Sequence, residues 1–254
     1  MQTQEFEHIV QGKKFIHYLA YNELIKTKRP AVMVVPAFEG RTNMSCEYAE
    51  KLAALGYVGV AIDMYGNKET ATTLEGCLNL FKPLAENRGE VRKRITAAFT
   101  AIKQLNMVNE NNIAIMGFCF GGMVALDLAR SGTPIKGAVS FHGGLEAPQG
   151  LSEHTITAKV LALHGYDDPH IPPEKVINFA NEMTKKNVDW QIVMYGHTKH
   201  SFTDPEAHKI AGEEFGRRYS ASATKRSWKI AQDFFIEIFD LNNNNLPGCS
   251  STAM

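Results

Sequence analysis

Short apolar segments alternate with amphipathic segments along the chain, and this alternation constrains the fold more than any other feature. The apolar segments are AVMVVPAF (31–38), YVGVAIDMYG (57–66), NIAIMGF (112–118), IKGAVSFHG (135–143), KVLALHG (159–165) and WQIVMYG (190–196). Continuous apolar runs are expected of strands that are buried on both faces. Strands separated by helices form right-handed βαβ units. The sequence therefore predicts an α/β fold, with a mostly parallel sheet and helices on both faces.

The remaining segments complete this architecture. Helical spacing or helix-end signals predict helices over 44–55, 88–105, 121–132, 173–186 and about 223–239. EHIV and KKFIHYLAY flank Gln11-Gly12 and predict an N-terminal antiparallel hairpin. We expect a single domain over residues 1–240. The polar segment 241–254, which contains Cys249, is expected to be a flexible C-terminal tail.

Charge, apolar run lengths and cysteine spacing exclude several classes of protein. Lys and Arg total 27 and Asp and Glu total 27 in 254 residues, so net charge indicates neither a nucleic acid nor an anionic membrane as partner. No apolar run reaches the roughly 18 residues of a membrane span, and the N-terminus lacks the pattern of a signal peptide. The four cysteines form no CxxC pair, which is typical of a reducing cytoplasm. We expect a cytoplasmic protein that acts on a small molecule as a monomer or small homo-oligomer.

The motif GFCFG (117–121) joins a predicted buried strand directly to a helix. A turn this short forces the central residue, Cys119, into a strained conformation and directs its side chain away from the sheet. The helix dipole favours the thiolate, which is the nucleophilic form of cysteine, and the Phe120 N–H is available to an oxyanion. The alternative is a buried, inert cysteine.

An acid and a base follow on later strand ends. Asp168 lies after KVLALHG, at the sheet edge where α/β proteins bind ligands. Asp167 and Asp168 can also be explained as turn residues. His200 follows WQIVMYG, and Phe202 is expected to anchor its loop in the core. His197 is interpreted as an exposed loop residue.

The order Cys119, Asp168, His200 is the nucleophile–acid–base order of α/β-hydrolases. Asp168 would hold the tautomer of His200. His200 would take the proton of Cys119 or pair with its thiolate, and would later activate water. Activity is expected to fall as His200 protonates near its reference pKa of about 6.5. His142, at a strand end, is expected only to pack or to form hydrogen bonds.

The sequence resembles the dienelactone hydrolase family in AEKLAALGYVGVAIDMYG (49–66), GFCFGG (117–122), HGYDDPHIP (164–172) and YGHTKHSF (195–202). The resemblance extends over roughly residues 5–240. It implies an α/β-hydrolase fold, a Cys119–Asp168–His200 triad, and hydrolysis of a small ester or lactone through an acyl-enzyme. It implies no cofactor and no metal.

The chain departs from the family pattern in two places. Members usually carry a glutamate that contacts the nucleophile, and here Ala37 occupies the aligned position, with Glu39 two residues later. Glu39 either takes over that role or is a surface carboxylate. The second oxyanion N–H is expected from Phe38. The family's substrate-binding arginines are also missing, and Arg41 and Arg88 are candidates to replace them.

Two other functions are compatible with the same sequence. The altered 37–39 loop and the missing arginines also fit a ligand-binding or scaffold protein with little turnover on a hydrolase fold. A thiol redox protein is a third hypothesis, and it would require Cys46 or Cys77 as a spatial partner of Cys119.

Overall fold

A computed structural model of the protein describes residues 1–152 and 154–240. The predicted tail 241–254, with Cys249, lies outside the described residues. The strands are β1 (Gln2–Val10), β2 (Lys13–Tyr21), β3 (Arg29–Val35), β4 (Val58–Ala61), β5 (Val108–Phe118), β6 (Gly137–Phe141), β7 (Lys159–Gly165) and β8 (Trp190–Tyr195). The helices are α1 (Asn43–Ala54), α2 (Leu74–Glu86), α3 (Arg88–Lys103), α4 (Phe120–Arg130), α5 (Pro173–Lys185), α6 (Ala207–Ile210) and α7 (Ala221–Ile238).

The strands form one sheet in the order β1-β2-β4-β3-β5-β6-β7-β8. β1 and β2 are the predicted hairpin, and β2 pairs antiparallel with β4. All pairs from β4 to β8 are parallel. The predicted α/β-hydrolase architecture is therefore confirmed, including the antiparallel N-terminal hairpin.

Two hydrophobic cores lie on opposite faces of the sheet, because successive side chains of a strand point to opposite sides. On β3, Ala31, Met33 and Val35 pack in one core, whereas Val32 and Val34 pack in the other. The first core is covered by α2, α3, α4 and α5, and the second by α1 and α7. Every residue of β3 is buried, as its continuous apolar sequence predicts.

The predicted helices are found with small shifts at their ends. The third predicted strand begins at Val108 rather than at residue 112, and the helix after it begins at Phe120 rather than at residue 121. Segment 203–222 contains α6 and a 3₁₀ turn, Glu213–Phe215. Within residues 1–152 and 154–240, no helix is long and apolar enough to cross a membrane.

The sheet order brings four loops together at one edge. β5, β6, β7 and β8 are consecutive parallel neighbours, so their carboxyl ends lie side by side. Cys119 follows β5, His142 follows β6, Asp168 lies shortly after β7, and His200 lies shortly after β8. Residues distant in sequence therefore meet at this edge, where parallel sheets bind ligands.

Candidate active site

Cys119 occupies a strained turn between β5 and α4. Its φ is +52° and its ψ is −113°, a backbone conformation that is unfavourable for a residue with a side chain. The flanking residues Gly117 and Gly121 must be glycines, because other backbone segments pack directly against them. A Cβ on Gly117 would lie 2.1 Å from the Gly121 carbonyl oxygen, and one on Gly121 would lie 2.2 Å from the Val35 carbonyl oxygen. The GFCFG motif thus forms the tight turn that its spacing predicts.

Asp168 and His200 form a buried pair. The distance from Asp168 Oδ2 to His200 Nδ1 is 2.7 Å, and the other carboxylate oxygen accepts a hydrogen bond from the His170 N–H. This contact leaves His200 Nε2 for other partners. Phe202 is fully buried and anchors the His200 loop in the core, as predicted. Asp167 and His197 are exposed, and Asp167 Oδ2 lies 3.9 Å from His197 Nδ1.

The pKa of His200 lies well above the ordinary value of about 6.5 for a histidine. Burial lowers this pKa. The charge of Cys119 and the hydrogen bond to Asp168 raise it by a larger amount, so that the pKa is about 10. Burial raises the pKa of Asp168, but the hydrogen bond and the charge of His200 lower it below its ordinary value. The expectation that His200 titrates near 6.5 is therefore wrong, because two acidic groups flank its ring.

Cys119 and His200 line a cavity of about 300 Å³. Phe38 and Phe120, the two residues predicted to supply oxyanion N–H groups, line the same cavity. Within the described part of the chain, neither backbone N–H donates to another protein group. The Tyr65 hydroxyl donates to the Phe38 carbonyl oxygen at 2.9 Å and so holds the loop that carries Phe38.

Glu39 is not a surface carboxylate, and that alternative is wrong. Its side chain is buried and lies 2.7 Å from Arg217 Nη2. Burial raises the pKa of Glu39, and the charge of Arg217 opposes this effect. Arg217 also lies 3.4 Å from Asp204 and donates to Ser201 Oγ at 3.0 Å, so it ties the loop after β3 to the His200 loop.

The arginine that lines the Cys119 cavity is Arg217, not Arg41 or Arg88, the two candidates proposed from sequence. Arg41 pairs with Glu5 and lines a different cavity, and Arg88 forms an ion pair with buried Asp127, so neither lines the Cys119 cavity. Arg217 does line it, and its Nη1 is buried without a hydrogen-bond partner among the described residues. No sequence pattern identifies Arg217, because it pairs with Glu39 across 178 residues.

His142 forms a hydrogen bond with the turn that carries Cys119. Its Nδ1 accepts a hydrogen bond from the Cys119 N–H at 3.2 Å, which leaves Nε2 to donate to Thr203 Oγ1 at 2.7 Å. The ring also meets that of His200 edge-on, with centroids 5.2 Å apart. Burial, together with the charge of His200, lowers the pKa of His142 well below its ordinary value. The predicted hydrogen-bonding role is confirmed, but its link to Cys119 was not predicted.

We expect His142→Phe to lower the free energy of unfolding by about 1–3 kcal/mol, because the substitution leaves the buried Thr203 hydroxyl without a partner. Urea denaturation measures this change. The double variant His142→Phe/Thr203→Val should recover part of the loss, since both polar partners are then replaced by apolar groups. If the second substitution only adds to the loss, the hydrogen bond is not the cause.

Comparisons with known proteins agree with this geometry. Residues 17–239 match the family described as "Dienelactone hydrolase family". An uncharacterised protein of Caenorhabditis elegans is 35% identical over 157 residues, covering 61% of this chain and 98% of that protein. A Bradyrhizobium protein named "Probable 2-oxo-3-(5-oxofuran-2-ylidene)propanoate lactonase" is 27% identical, covering 85% of this chain and 87% of that protein.

The fold is also close to solved structures. A crystal structure described as a dienelactone hydrolase-like promiscuous phosphotriesterase, P91, from metagenomic libraries superposes with a TM-score of 0.87. The two sequences are 32% identical, and the match covers 94% of this chain and 98% of that chain. The predicted resemblance is therefore confirmed by both sequence and structure.

Proposed function

The chain belongs to the dienelactone hydrolase family and is a carboxylic ester hydrolase, and we propose that it cleaves a small ester or lactone through an acyl-enzyme on Cys119. The observation that carries the proposal is the convergence of Cys119 and the Asp168-bound His200 on one cavity. A nucleophile, a base and a group that orients the base are the parts that covalent acyl transfer requires.

In the first step the Cys119 thiolate, paired with protonated His200, attacks the carbonyl carbon of the substrate. The carbonyl oxygen becomes an oxyanion, which the N–H groups of Phe38 and Phe120 stabilise. His200, held by Asp168, then protonates the departing alcohol oxygen, and a thioester remains on Cys119. In the second step the now neutral His200 removes a proton from water, and the resulting hydroxide attacks the thioester carbonyl carbon. The acid leaves, and the Cys119 thiolate and protonated His200 are regenerated.

Glu39 influences this chemistry indirectly, through Arg217. Its carboxylate balances the charge of Arg217, which lines the cavity beside Cys119. Without that carboxylate, the unbalanced cation would stabilise the Cys119 thiolate further and so lower its nucleophilicity. Glu39 is thus a positioning and charge-balancing residue that modulates the nucleophile.

The proposal includes a reducing compartment such as the cytoplasm, because the nucleophile must stay a free thiol. Cys46, Cys77 and Cys119 are all free, and burial raises the pKa of Cys77 to about 11, which makes its thiol unreactive. The proposed steps use side chains and water alone, so no cofactor takes part. The state of assembly, monomer or small homo-oligomer, stays a prediction.

Mass spectrometry of a quenched reaction tests the proposal. Mixing the protein with excess p-nitrophenyl acetate and quenching in acid should give a mass increase of one acetyl group, on the peptide that contains Cys119. Neutral hydroxylamine should remove the group, as expected of a thioester. An acetyl adduct that forms during turnover only on a residue other than Cys119 would contradict the acyl-enzyme on Cys119. Stable binding of esters with no turnover would instead favour a ligand-binding protein.

The pH dependence of kcat/KM provides a separate prediction. With a pKa of about 10, His200 is protonated at neutral pH and can pair with a Cys119 thiolate and protonate the leaving group. We expect kcat/KM to stay high up to about pH 10 and to fall above it, as His200 loses its proton. Rates between pH 5 and 11, corrected for spontaneous hydrolysis, check this. A rate that keeps rising through pH 11 would identify neutral His200 as the active form.

A further inference from the structure

One wall of the Cys119 cavity is an apolar helix face. Leu74, Leu78 and Phe81 of α2 are spaced i, i+4 and i+7, so they share one side of the helix, and all three line the cavity. Met123, Leu145 and Ile171 line it from other elements. The α2 residues are only half-buried, so their apolar surface is available to a bound molecule.

The charged groups that line this cavity already have partners within the protein. Arg217 lies between Glu39 and Asp204, and Lys175 pairs with Glu146 at 3.2 Å. A substrate carboxylate would therefore enter an apolar site without a free counter-charge, which is unfavourable. The unpartnered Nη1 of Arg217 can donate to a neutral acceptor, such as an ester or ketone oxygen.

The apolar wall adjoins the residues proposed to hold the carbonyl oxygen. The ring of Phe81 meets the rings of Phe38 and Phe120 edge-on, with centroids 6.4 Å and 5.5 Å away. The leaving group must lie next to His200, which protonates it, so the acyl chain extends from the carbonyl carbon in another direction. The apolar wall formed by α2 lies next to Phe38 and Phe120, and it is the surface that the acyl chain would contact.

We propose that this enzyme selects neutral substrates with an apolar acyl group and discriminates against acyl groups that carry a second carboxylate. The proposal rests on the ester hydrolase activity proposed above and names its substrate class. A volume of about 300 Å³ is at the small end for ligand sites, so the acyl group is limited to a short alkyl chain or a single ring.

Two p-nitrophenyl esters of equal acyl length test the selectivity. The valerate ends in a methyl group and the hemiglutarate in a carboxylate. We expect kcat/KM for the valerate to be higher by about tenfold or more, after subtraction of the enzyme-free rate. Leu78→Arg should reduce the valerate-to-hemiglutarate ratio by about tenfold or more, because it supplies a cation in the wall. Asn79→Arg, exposed on the same helix, is the matched control and should leave the ratio unchanged.

A wild-type ratio of one or less, or equal effects of Leu78→Arg and Asn79→Arg, would overturn the selectivity while leaving the hydrolase activity in place. Binding of uncleaved amides gives a readout that does not need turnover. By calorimetry, N-phenylvaleramide should bind about tenfold or more tightly than the anilide of glutaric acid, and equal or reversed affinities would overturn the proposal. Absence of Cys119-dependent hydrolysis of every ester, p-nitrophenyl acetate included, would instead overturn the proposed function alone.

Discussion

Cys119→Ala should lower kcat/KM for p-nitrophenyl acetate by about 10⁴-fold or more, because the proposed mechanism then has no nucleophile. The oxyanion N–H groups and the His200–Asp168 pair remain, so some catalysis of direct water attack is expected to persist. Initial rates from p-nitrophenolate absorbance measure the loss. Cys46→Ala is the matched control, since Cys46 is also a free cysteine but does not line the cavity.

Cys119→Ala should also change the pKa of His200. Its pKa of about 10 depends in part on attraction to Cys119, so the pKa should fall when that thiol is removed. NMR titration of the His200 ring measures the change, with Cys46→Ala again unaffected. Equal rates of ester hydrolysis in wild type and Cys119→Ala would exclude Cys119 as the nucleophile, and an unchanged His200 pKa would exclude their coupling.

Arg217→Met should lower the free energy of unfolding by about 3–5 kcal/mol at pH 8, because it leaves the buried Glu39 carboxylate without its cation. The loss has a defined pH dependence. The folded-state pKa of Glu39 is already raised, and removing Arg217 raises it further, so proton binding favours the folded variant. Relative to wild type, the deficit should be greatest above this folded-state pKa and should shrink as pH falls toward 4.5. Urea denaturation at several pH values measures it.

Two variants control for this result. Arg218→Met removes the next arginine, which is exposed and pairs with Glu213 at 3.6 Å, and it should cost less than about 1 kcal/mol. The double variant Glu39→Gln/Arg217→Met should recover much of the loss, because the more deeply buried of the two carboxylates that Arg217 contacts is then neutral. A deficit of equal size at pH 4.5 and pH 8 would show that lost packing, rather than the Glu39 charge, causes the destabilisation.

Local sequence patterns were sufficient for the sheet, for five of the helices and for three of the proposed site residues, but they did not predict α2. The buried strands were recognisable because strands covered on both faces need continuous apolar sequence, as β3 illustrates. Cys119, Asp168 and His200 each lie within five residues of a predicted strand end, and parallel strands present those ends at one edge. Helix and strand ends were less accurate, because tertiary pairing rather than propensity extended β5 back to Val108.

Contacts between distant segments could not be predicted in this way. The role of Glu39 stayed open until its side chain was found against Arg217, a residue in a segment whose sequence has no regular periodicity. The pKa of His200 likewise depends on the burial of its ring and on the neighbouring Asp168 and Cys119 side chains. The α2 face became informative only when Leu74, Leu78 and Phe81 were seen to face the Cys119 cavity.

The α/β sheet, the strained turn at Cys119 and the strand ends that carry Asp168 and His200 can all be read from local sequence, because each depends on residues close together in the chain. The charge and shape of the site depend instead on the folded arrangement: the pKa of His200 is raised, Glu39 is buried against Arg217, and an apolar wall lies beside the nucleophile. These properties arise from burial and from distances between groups far apart in sequence, and such distances exist only once the chain has folded.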